Sequence, residues 1–271
     1  MNDRRRKPPR SGAGKPGRDT AWDPVAAWYD KLVGETGMDY HRHVILPAAM
    51  EMLAVGPGAA VIDVCCGQGV LAGLLLDAGV GRYTGIDASK RLIQSARARF
   101  PAEQRASFLI ADACLPGPWA DGSHDAAACL MAVHDVADAP GLFRNIAASL
   151  RPGGHVVIVM MHPCFRIPRQ SHWGWDNDQK IQYRRLDSYM EPLEIPIITH
   201  PGKNAEPGTT FFHRPLADVI SGLGNAGLGI VACRELCSHR RSQSGPFSKA
   251  EHRAAQEFPL FLALKAVMSP S

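Results

Sequence analysis

The sequence contains no apolar run close to the ~20 residues that a membrane-spanning helix needs. Its first residues also lack the apolar stretch of a secretory signal. The seven cysteines are an odd number without CxxC spacing, which argues against a disulfide framework and against a zinc site. These absences predict a cytoplasmic protein with no membrane segment and no metal centre.

The sequence carries little net charge outside its first residues. Residues 1–19 hold seven basic and two acidic side chains, a net +5, so about −1 remains for the rest of a chain whose total is +4. This stretch is rich in Pro and Gly and poor in apolar side chains, which predicts a disordered basic tail over residues 1–20. A nucleic-acid-binding arm is the alternative. The near-neutral body does not indicate a surface that follows phosphates, so nucleic acid is not the expected partner.

The remaining residues, 21–271, suit one α/β domain with ample length for a buried core. Residues 21–55 show helical periodicity and predict an N-terminal helical cap of two helices. Apolar strands and amphipathic helices then alternate, which favours a doubly wound, mainly parallel sheet with right-handed crossovers. The predicted strands are Ala59–Val64, Tyr83–Ile86, Ser107–Ile110, Asp125–Met131, His155–Met161, Leu228–Cys233 and Phe258–Val267.

One stretch organises the chain. The apolar run from Ala59 reaches a single carboxylate, Asp63, and then a cysteine and glycine turn that opens a helix near Val70. Glycines let the backbone approach a ligand closely, and free N–H groups at a helix start favour polar ligand groups. A carboxylate in a buried strand is costly unless it meets a cation or hydrogen-bond donors. The turn therefore predicts a ligand site that accepts a positive group.

Two further acids follow neighbouring strands. Asp87 ends the second predicted strand, and Asp112 follows the third. Each alone is a common turn former or helix cap. Because ligands bind at the carboxyl ends of strands in open parallel sheets, we expect Asp63, Asp87 and Asp112 to converge on one crevice.

Residues 163–210 interrupt the alternation and are rich in proline, aromatic and charged residues. This segment is too long for an ordinary connection and predicts a lid or hairpin over the carboxyl edge of the sheet, with a role in substrate binding. An oligomer interface is the alternative, and a homodimer is one possible outcome. Farther along, Ser248 and Glu251 have the spacing of a capping box that opens a short helix.

The strand-end residues resemble the motifs of class I S-adenosylmethionine-dependent methyltransferases, and the likeness runs from about Trp22 to Val267. The stretch 62–69 looks like the family's first motif, 85–89 like the second and 111–113 like the third, while 150–154 is similar to the marker before strand five. The resemblance implies a seven-stranded, Rossmann-like methyltransferase fold whose last strand is antiparallel. One departure is Cys65, which stands where the first glycine usually is and is tolerated provided that its backbone does not need a positive φ.

The resemblance also implies the cofactor and its contacts. Asp63 would hold the methionine ammonium, Asp87 both ribose hydroxyls and Asp112 the adenine amino group. The full set of expected S-adenosylmethionine contacts is Tyr29, Asp63, Cys65, Gly67, Gln68, Gly69, Asp87, Ala88, Asp112, Ala113, Met131 and Ala132.

The chemistry on the acceptor side is less constrained. Methyl transfer needs a nucleophile aligned opposite the departing sulfur, and a general base where that nucleophile is a hydroxyl or a protonated amine. The base candidates are His134 and His162, although each is equally a histidine satisfied by a backbone carbonyl. The candidate substrate-binding residues are Tyr29, Tyr40, Trp175 and His213.

Other functions fit parts of the sequence. Gly67, Gly69 and Ala72 match a dinucleotide fingerprint, with Asp87 about 20 residues on, so an NAD-dependent oxidoreductase is one rival. An RNA methyltransferase that uses Cys164 is a second, but the Pro-Cys pair expected after strand four is absent. A binding protein without catalysis is a third. The residues favour methyl transfer to a small aromatic or nitrogen-containing metabolite, with transfer to N, C or O left open.

Overall fold

A computed structural model of the chain describes residues 22–23, 37–197 and 208–269. Its centre is a seven-stranded sheet of order β10-β11-β5-β4-β1-β2-β3. β1 to β5 are parallel to one another, and β11 runs antiparallel between β5 and β10. The predicted fold class is thereby confirmed, including the antiparallel last strand. The strands of this sheet are β1 Ala60–Val64, β2 Arg82–Asp87, β3 Ala106–Ile110, β4 His124–Leu130, β5 Leu150–Met161, β10 Leu228–Leu236 and β11 Phe261–Met268.

Helices cover both faces of the sheet, so its central strands are apolar on both sides. Ile62 of β1 packs into one half of the core and Val61 into the other, and both are fully buried. The helices are α1 Leu46–Leu53, α2 Val70–Asp77, α3 Lys90–Arg99, α4 Ala139–Ser149, α5 Leu216–Asn225 and α6 Ser248–Glu257.

Two helix starts near the carboxyl edge are fixed by side-chain caps. The Ser89 hydroxyl accepts a hydrogen bond from the Leu92 N–H at 3.2 Å and caps α3. Asp138 caps α4 by accepting from the Gly141 N–H at 2.9 Å. These caps fix where the loops after β2 and β4 leave the sheet.

The segment before the sheet is helical where the structure describes it. A π-helical turn, His41–Ile45, continues directly into α1. Ile45 and Leu53 are buried in the half of the core that covers β1 and β4. The first of the two predicted helices lies outside the described residues.

The segment after β5 folds as two hairpins. β6 Ser171–Asp176 pairs with β7 Ile181–Leu186, and β8 Leu193–Ile197 pairs with β9 Thr209–His213. Ile195 and Phe211 of the second hairpin are buried in a small apolar cluster of their own. The role of residues 163–210 as a lid stays a prediction.

Two sequence predictions about local structure are wrong. The capping box is absent because α6 begins at Ser248 itself, with Phe247 at the cap position and no side-chain hydrogen bond there. β5 begins at Leu150 rather than His155, because Leu150 pairs with His124 before an irregularity in the register. Within the described ranges, no helix has both the length and the apolar character to cross a membrane.

Candidate active site

The turn after β1 is held in left-handed backbone conformations. φ is +60° at Cys65, +56° at Gly67 and +78° at Gly69. The condition for tolerating Cys65 is thus not met, since this residue adopts a conformation that favours glycine. A Cβ added to Gly67 would meet no atom within 4 Å, so it would project into open space beside the turn. The turn is therefore a cradle that a side chain at residue 67 would fill.

Two adjoining cavities flank this turn at the carboxyl edge of the sheet. The larger holds about 810 Å³ and the smaller about 420 Å³, and both are lined by Cys65, Gly67 and Leu130. Eight predicted cofactor contacts line the larger cavity: Cys65, Gly67, Asp87, Ala88, Asp112, Ala113, Met131 and Ala132. Asp63 and Gln68 line the smaller one, while Gly69 starts α2 and packs towards the Phe108 ring. The structure thus brings strand ends distant in sequence to one groove.

Asp87 joins the glycine turn to α3. One of its carboxylate oxygens accepts a hydrogen bond from the Gly67 N–H at 2.9 Å, and the other accepts from the Ser89 N–H at 2.8 Å. Burial raises the pKa of this carboxyl despite both bonds, and the charge of Asp23 adds to the rise. Each oxygen keeps a lone pair for a further donor, which suits a diol.

Asp63 is almost wholly buried within β1. The Tyr83 hydroxyl donates a hydrogen bond to its carboxylate at 2.8 Å. Burial raises the pKa of Asp63 to about 7, with the Asp87 charge adding to the rise and the Tyr83 bond opposing it. A carboxyl in this state ionises readily when a cation arrives beside it.

Asp112 is exposed at the end of β3. Its carboxylate accepts a hydrogen bond from the Cys114 N–H at 2.9 Å, so it shapes the turn and also lines the larger cavity. Its position is compatible with both roles considered from the sequence, a turn former and a contact for the adenine amino group.

Sequence reasoning missed Asp135, which lines the larger cavity after β4. Its carboxyl is partly buried, and burial together with the charge of Asp87 raises its pKa to about 8. The available signal was an acid directly after His134, at the end of a parallel strand. A pKa in this range suits a general base near neutral pH, and Asp135 lines the larger cavity beside Met131 and Ala132.

The start of the described chain also reaches the cavity. Trp22 lines it, and Asp23 is buried beside α3. The Ser89 hydroxyl donates to the Asp23 carboxylate at 2.5 Å, and the Arg91 guanidinium donates to the Asp23 carbonyl at 3.1 Å. These contacts of Asp23 hold the neighbouring Trp22 beside the cavity.

His134 lies behind the cavity wall rather than in it. The side chain is buried against Phe211, with ring centroids 5.0 Å apart, and its Nδ1 has no hydrogen-bond partner among the described residues. Burial lowers the pKa of His134 to about 3, and the charges of Arg166 and Arg214 lower it further. His134 is consequently neutral at physiological pH and poorly suited to take a proton.

His162 has both ring nitrogens engaged. Its Nδ1 accepts from the Cys164 N–H at 3.2 Å, so Nε2 carries the proton and donates to the Glu235 carboxylate at 2.8 Å. The side chain fixes the turn after β5. This arrangement leaves no free ring nitrogen for base catalysis and agrees with the structural role that was the alternative from the sequence.

The predicted substrate contacts are dispersed. Trp175 packs edge-on against Phe247 with centroids 4.5 Å apart, and His213 donates from Nε2 to the Tyr189 carbonyl at 2.7 Å. Tyr40 shares a hydrogen bond of 3.0 Å with Ser238. None of these three is among the described residues that line the two cavities, and Tyr29 lies outside the described residues.

Comparison with known proteins decides the family. Residues 62–158 match the family model described as a methyltransferase domain. A solved S-adenosylmethionine dependent methyltransferase from Mesorhizobium loti is 28% identical, with a TM-score of 0.65 over 82% of this chain and 96% of that one. These matches support a class I S-adenosylmethionine-dependent methyltransferase. The family resemblance drawn from the strand-end motifs is thereby confirmed.

Curated relatives of this methyltransferase include quinone-modifying enzymes. A 2-phytyl-1,4-naphtoquinone methyltransferase from Synechococcus elongatus is 34% identical over 147 residues, which are 52% of this chain and 62% of that protein. A demethylmenaquinone methyltransferase from Tropheryma whipplei is 34% identical over 117 residues, 43% of this chain and 48% of that protein. The chain thus spans about three-fifths or less of these two relatives. An NAD-dependent oxidoreductase is not favoured by these matches.

Proposed function

We propose that this methyltransferase transfers a methyl group from S-adenosylmethionine to a small aromatic acceptor that carries a ring hydroxyl. The observation that carries the proposal is the set of three carboxyls, Asp63, Asp87 and Asp135, around one glycine cradle, each with a raised pKa. Burial raises the pKa of each of these acids, and a bound cation favours their ionised form.

The residues present fit the cofactor. The open space beside Gly67 accepts a chain that runs close to the backbone, and Asp63 provides a counter-charge for an ammonium group. Asp87 offers two oxygens, already oriented by the Gly67 and Ser89 N–H groups, to a pair of ribose hydroxyls. Ala88 and Ala113 leave room for a flat ring between them and Asp112. When bound, S-adenosylmethionine supplies a methyl group on positively charged sulfur.

Asp135 is proposed as the general base. It lines the same cavity as Met131 and Ala132, the predicted neighbours of the sulfonium. Its carboxylate takes the proton of the acceptor hydroxyl, which raises electron density on the ring oxygen and on the adjacent ring carbon. S-adenosylmethionine held by Asp63 and Asp87 would supply the methyl group to this oxygen or carbon, and the electron pair of the broken carbon–sulfur bond would stay with sulfur. One base therefore serves O- or C-methylation.

The relatives named for naphthoquinones support an aromatic ring as the acceptor. The near-neutral body of the chain supports a small molecule over nucleic acid. A cytoplasmic location and a homodimer built on the aromatic insertion remain predictions. Light scattering of the purified protein checks the second.

The test is incubation of the protein and a metabolite extract with S-adenosylmethionine labelled in its methyl group. We expect the label to appear in an aromatic product, and mass spectrometry then identifies the atom that gained it. A protein that binds S-adenosylhomocysteine but labels only RNA in a total extract contradicts the small-molecule assignment.

A further inference from the structure

We infer that Arg166 binds a carboxylate group of the acceptor, so the substrate class is a monoanionic aromatic acid. This inference rests on the proposed function and specifies its acceptor. Arg166 lies in the turn after β5, at the same carboxyl edge as the larger cavity.

The backbone at Arg166 is held in place. The His162 carbonyl accepts hydrogen bonds from the Phe165 N–H at 3.2 Å and from the Arg166 N–H at 2.8 Å. His162 is itself fixed at both ring nitrogens by Cys164 and Glu235. The guanidinium therefore projects from a rigid base, which lowers the entropic cost of ordering it around a ligand.

The guanidinium of Arg166 is partly buried and has no hydrogen-bond or ion-pair partner among the described residues. Its central carbon lies 5.5 Å from the centroid of the Phe261 ring. Five N–H donors of this guanidinium are thus left for water or a ligand. Burial also lowers the pKa of Arg166, which disfavours its charged form.

Two neighbouring arginines, Arg214 and Arg184, have structural roles and make several hydrogen bonds. Arg214 donates to the carbonyls of Val133, Val136 and Ala137 at 3.1, 2.6 and 2.7 Å and pins the loop after β4. Arg184 donates to the Phe165 carbonyl at 2.9 Å and to the Ser171 hydroxyl at 2.7 Å. Both have a role in holding the fold, whereas Arg166 has none of this kind.

The surroundings of Arg166 favour an aromatic anion. Phe261 lies under the guanidinium, and the Tyr40 ring packs on Phe261 with centroids 5.7 Å apart. The charge of Arg166 acts on His134, whose chain neighbours Ala132 and Asp135 line the cavity. A guanidinium fork matches the two oxygens of a carboxylate, and a single free arginine suits one negative charge better than a diphosphate.

The experiment compares two matched probes, 1-hydroxy-2-naphthoate and 1-naphthol, which differ by the carboxylate. Calorimetry of the full chain, with and without saturating S-adenosylhomocysteine, measures both affinities. We expect the naphthoate to bind at least about tenfold more tightly, and Arg166→Gln to remove that preference while 1-naphthol affinity is unchanged. Arg166→Lys should keep part of the preference. Arg169→Gln, an exposed arginine three residues on that donates to the Pro196 carbonyl, is the matched control and should behave as the wild type.

Equal binding of the two probes to the wild type, failure of both to bind, or a naphthoate preference that survives Arg166→Gln overturns the inference. S-adenosylhomocysteine affinity of each variant reports that its fold is intact. Absence of a naphthoate preference in the wild type, with normal S-adenosylhomocysteine binding, refutes the acceptor class and leaves the methyltransferase proposal standing. Failure of S-adenosylhomocysteine to bind the wild type refutes the methyltransferase proposal instead. The naphthoate preference can still be measured in the absence of S-adenosylhomocysteine.

Discussion

The two sides of the active-site groove carry different kinds of side chain. The side under β1 to β3 presents carboxyls on short strand ends, and the chain's own backbone N–H groups orient Asp87 there. The side under β4 and β5 presents an acid, Asp135. Behind that wall lies the neutral His134, and the turn after β5 carries Arg166, which has no hydrogen bond or ion pair among the described residues. The first side matches the positively charged cofactor, S-adenosylmethionine. The second side is shaped for one acceptor. Substitutions on the first side should therefore weaken cofactor binding, and substitutions on the second should impair acceptor methylation.

Asp135→Asn gives the largest expected effect and acts on the acceptor side alone. Loss of a general base should lower the turnover rate by about 100-fold or more, with S-adenosylhomocysteine affinity within a few-fold of wild type. In the wild type the rate should rise with pH as Asp135 ionises, since its pKa is raised to about 8 and only the ionised form accepts a proton. The Asp135→Asn variant should lack this rise in rate with pH. Initial rates between pH 5.5 and 9, with the acceptor identified by labelling, measure both; an unchanged pH profile rejects Asp135 as the base.

Asp87→Ala acts on the cofactor side alone. It removes the expected acceptor of two ribose hydroxyls and frees the Gly67 and Ser89 N–H groups, which should weaken S-adenosylhomocysteine binding by about 100-fold. Asp77→Ala, an exposed acid at the end of α2, is the matched control and should leave affinity unchanged. Equal weakening in both variants would mean that general charge, not this contact, governs binding.

Asp63 makes cofactor binding on the first side of the groove depend on pH. Its pKa is raised to about 7, so the carboxyl is largely neutral below that pH and cannot pair with an ammonium group. S-adenosylhomocysteine affinity should therefore rise roughly tenfold between pH 5.5 and 7.5 in the wild type, and Asp63→Asn should flatten this rise. A raised pKa in the folded state also means that the ligand-free fold loses stability as pH rises from about 4 through 7. Asp63→Asn should thus gain most stability, relative to wild type, at the upper end of that window.

Tyr83→Phe gives the smallest effect. It removes the one hydroxyl that donates to Asp63, which should cost about 1–2 kcal/mol of unfolding free energy because the buried carboxyl loses its partner. Urea titration at pH 7.5 measures the cost. The same change should raise the pKa of Asp63 further and shift the pH rise in affinity upwards. Tyr183→Phe, on the exposed hairpin, is the control that should alter neither quantity.

The fold and the cofactor side were largely predictable because their signals are local. Each acid stands at a strand end beside its own turn, and parallel strands carry those ends to one edge. Cys65 shows the limit of this reasoning, since a φ of +60° cannot be inferred from a residue type that seldom adopts it.

The acceptor side was not predictable in the same way. His134 and His162 stand at promising positions in the chain, yet burial leaves one neutral and two long-range contacts occupy the other. The unpaired state of Arg166 depends on which side chains fold around it. The position of Trp175 outside the two cavities was equally unavailable from sequence, because its partner Phe247 lies 72 residues away.

The most direct test of the acid-lined groove is calorimetric titration of S-adenosylhomocysteine into the full chain at pH 7.5. The account predicts one binding event per chain in the wild type and its loss or strong weakening in Asp87→Ala. No heat in the wild type, or the same affinity in the variant, would contradict it.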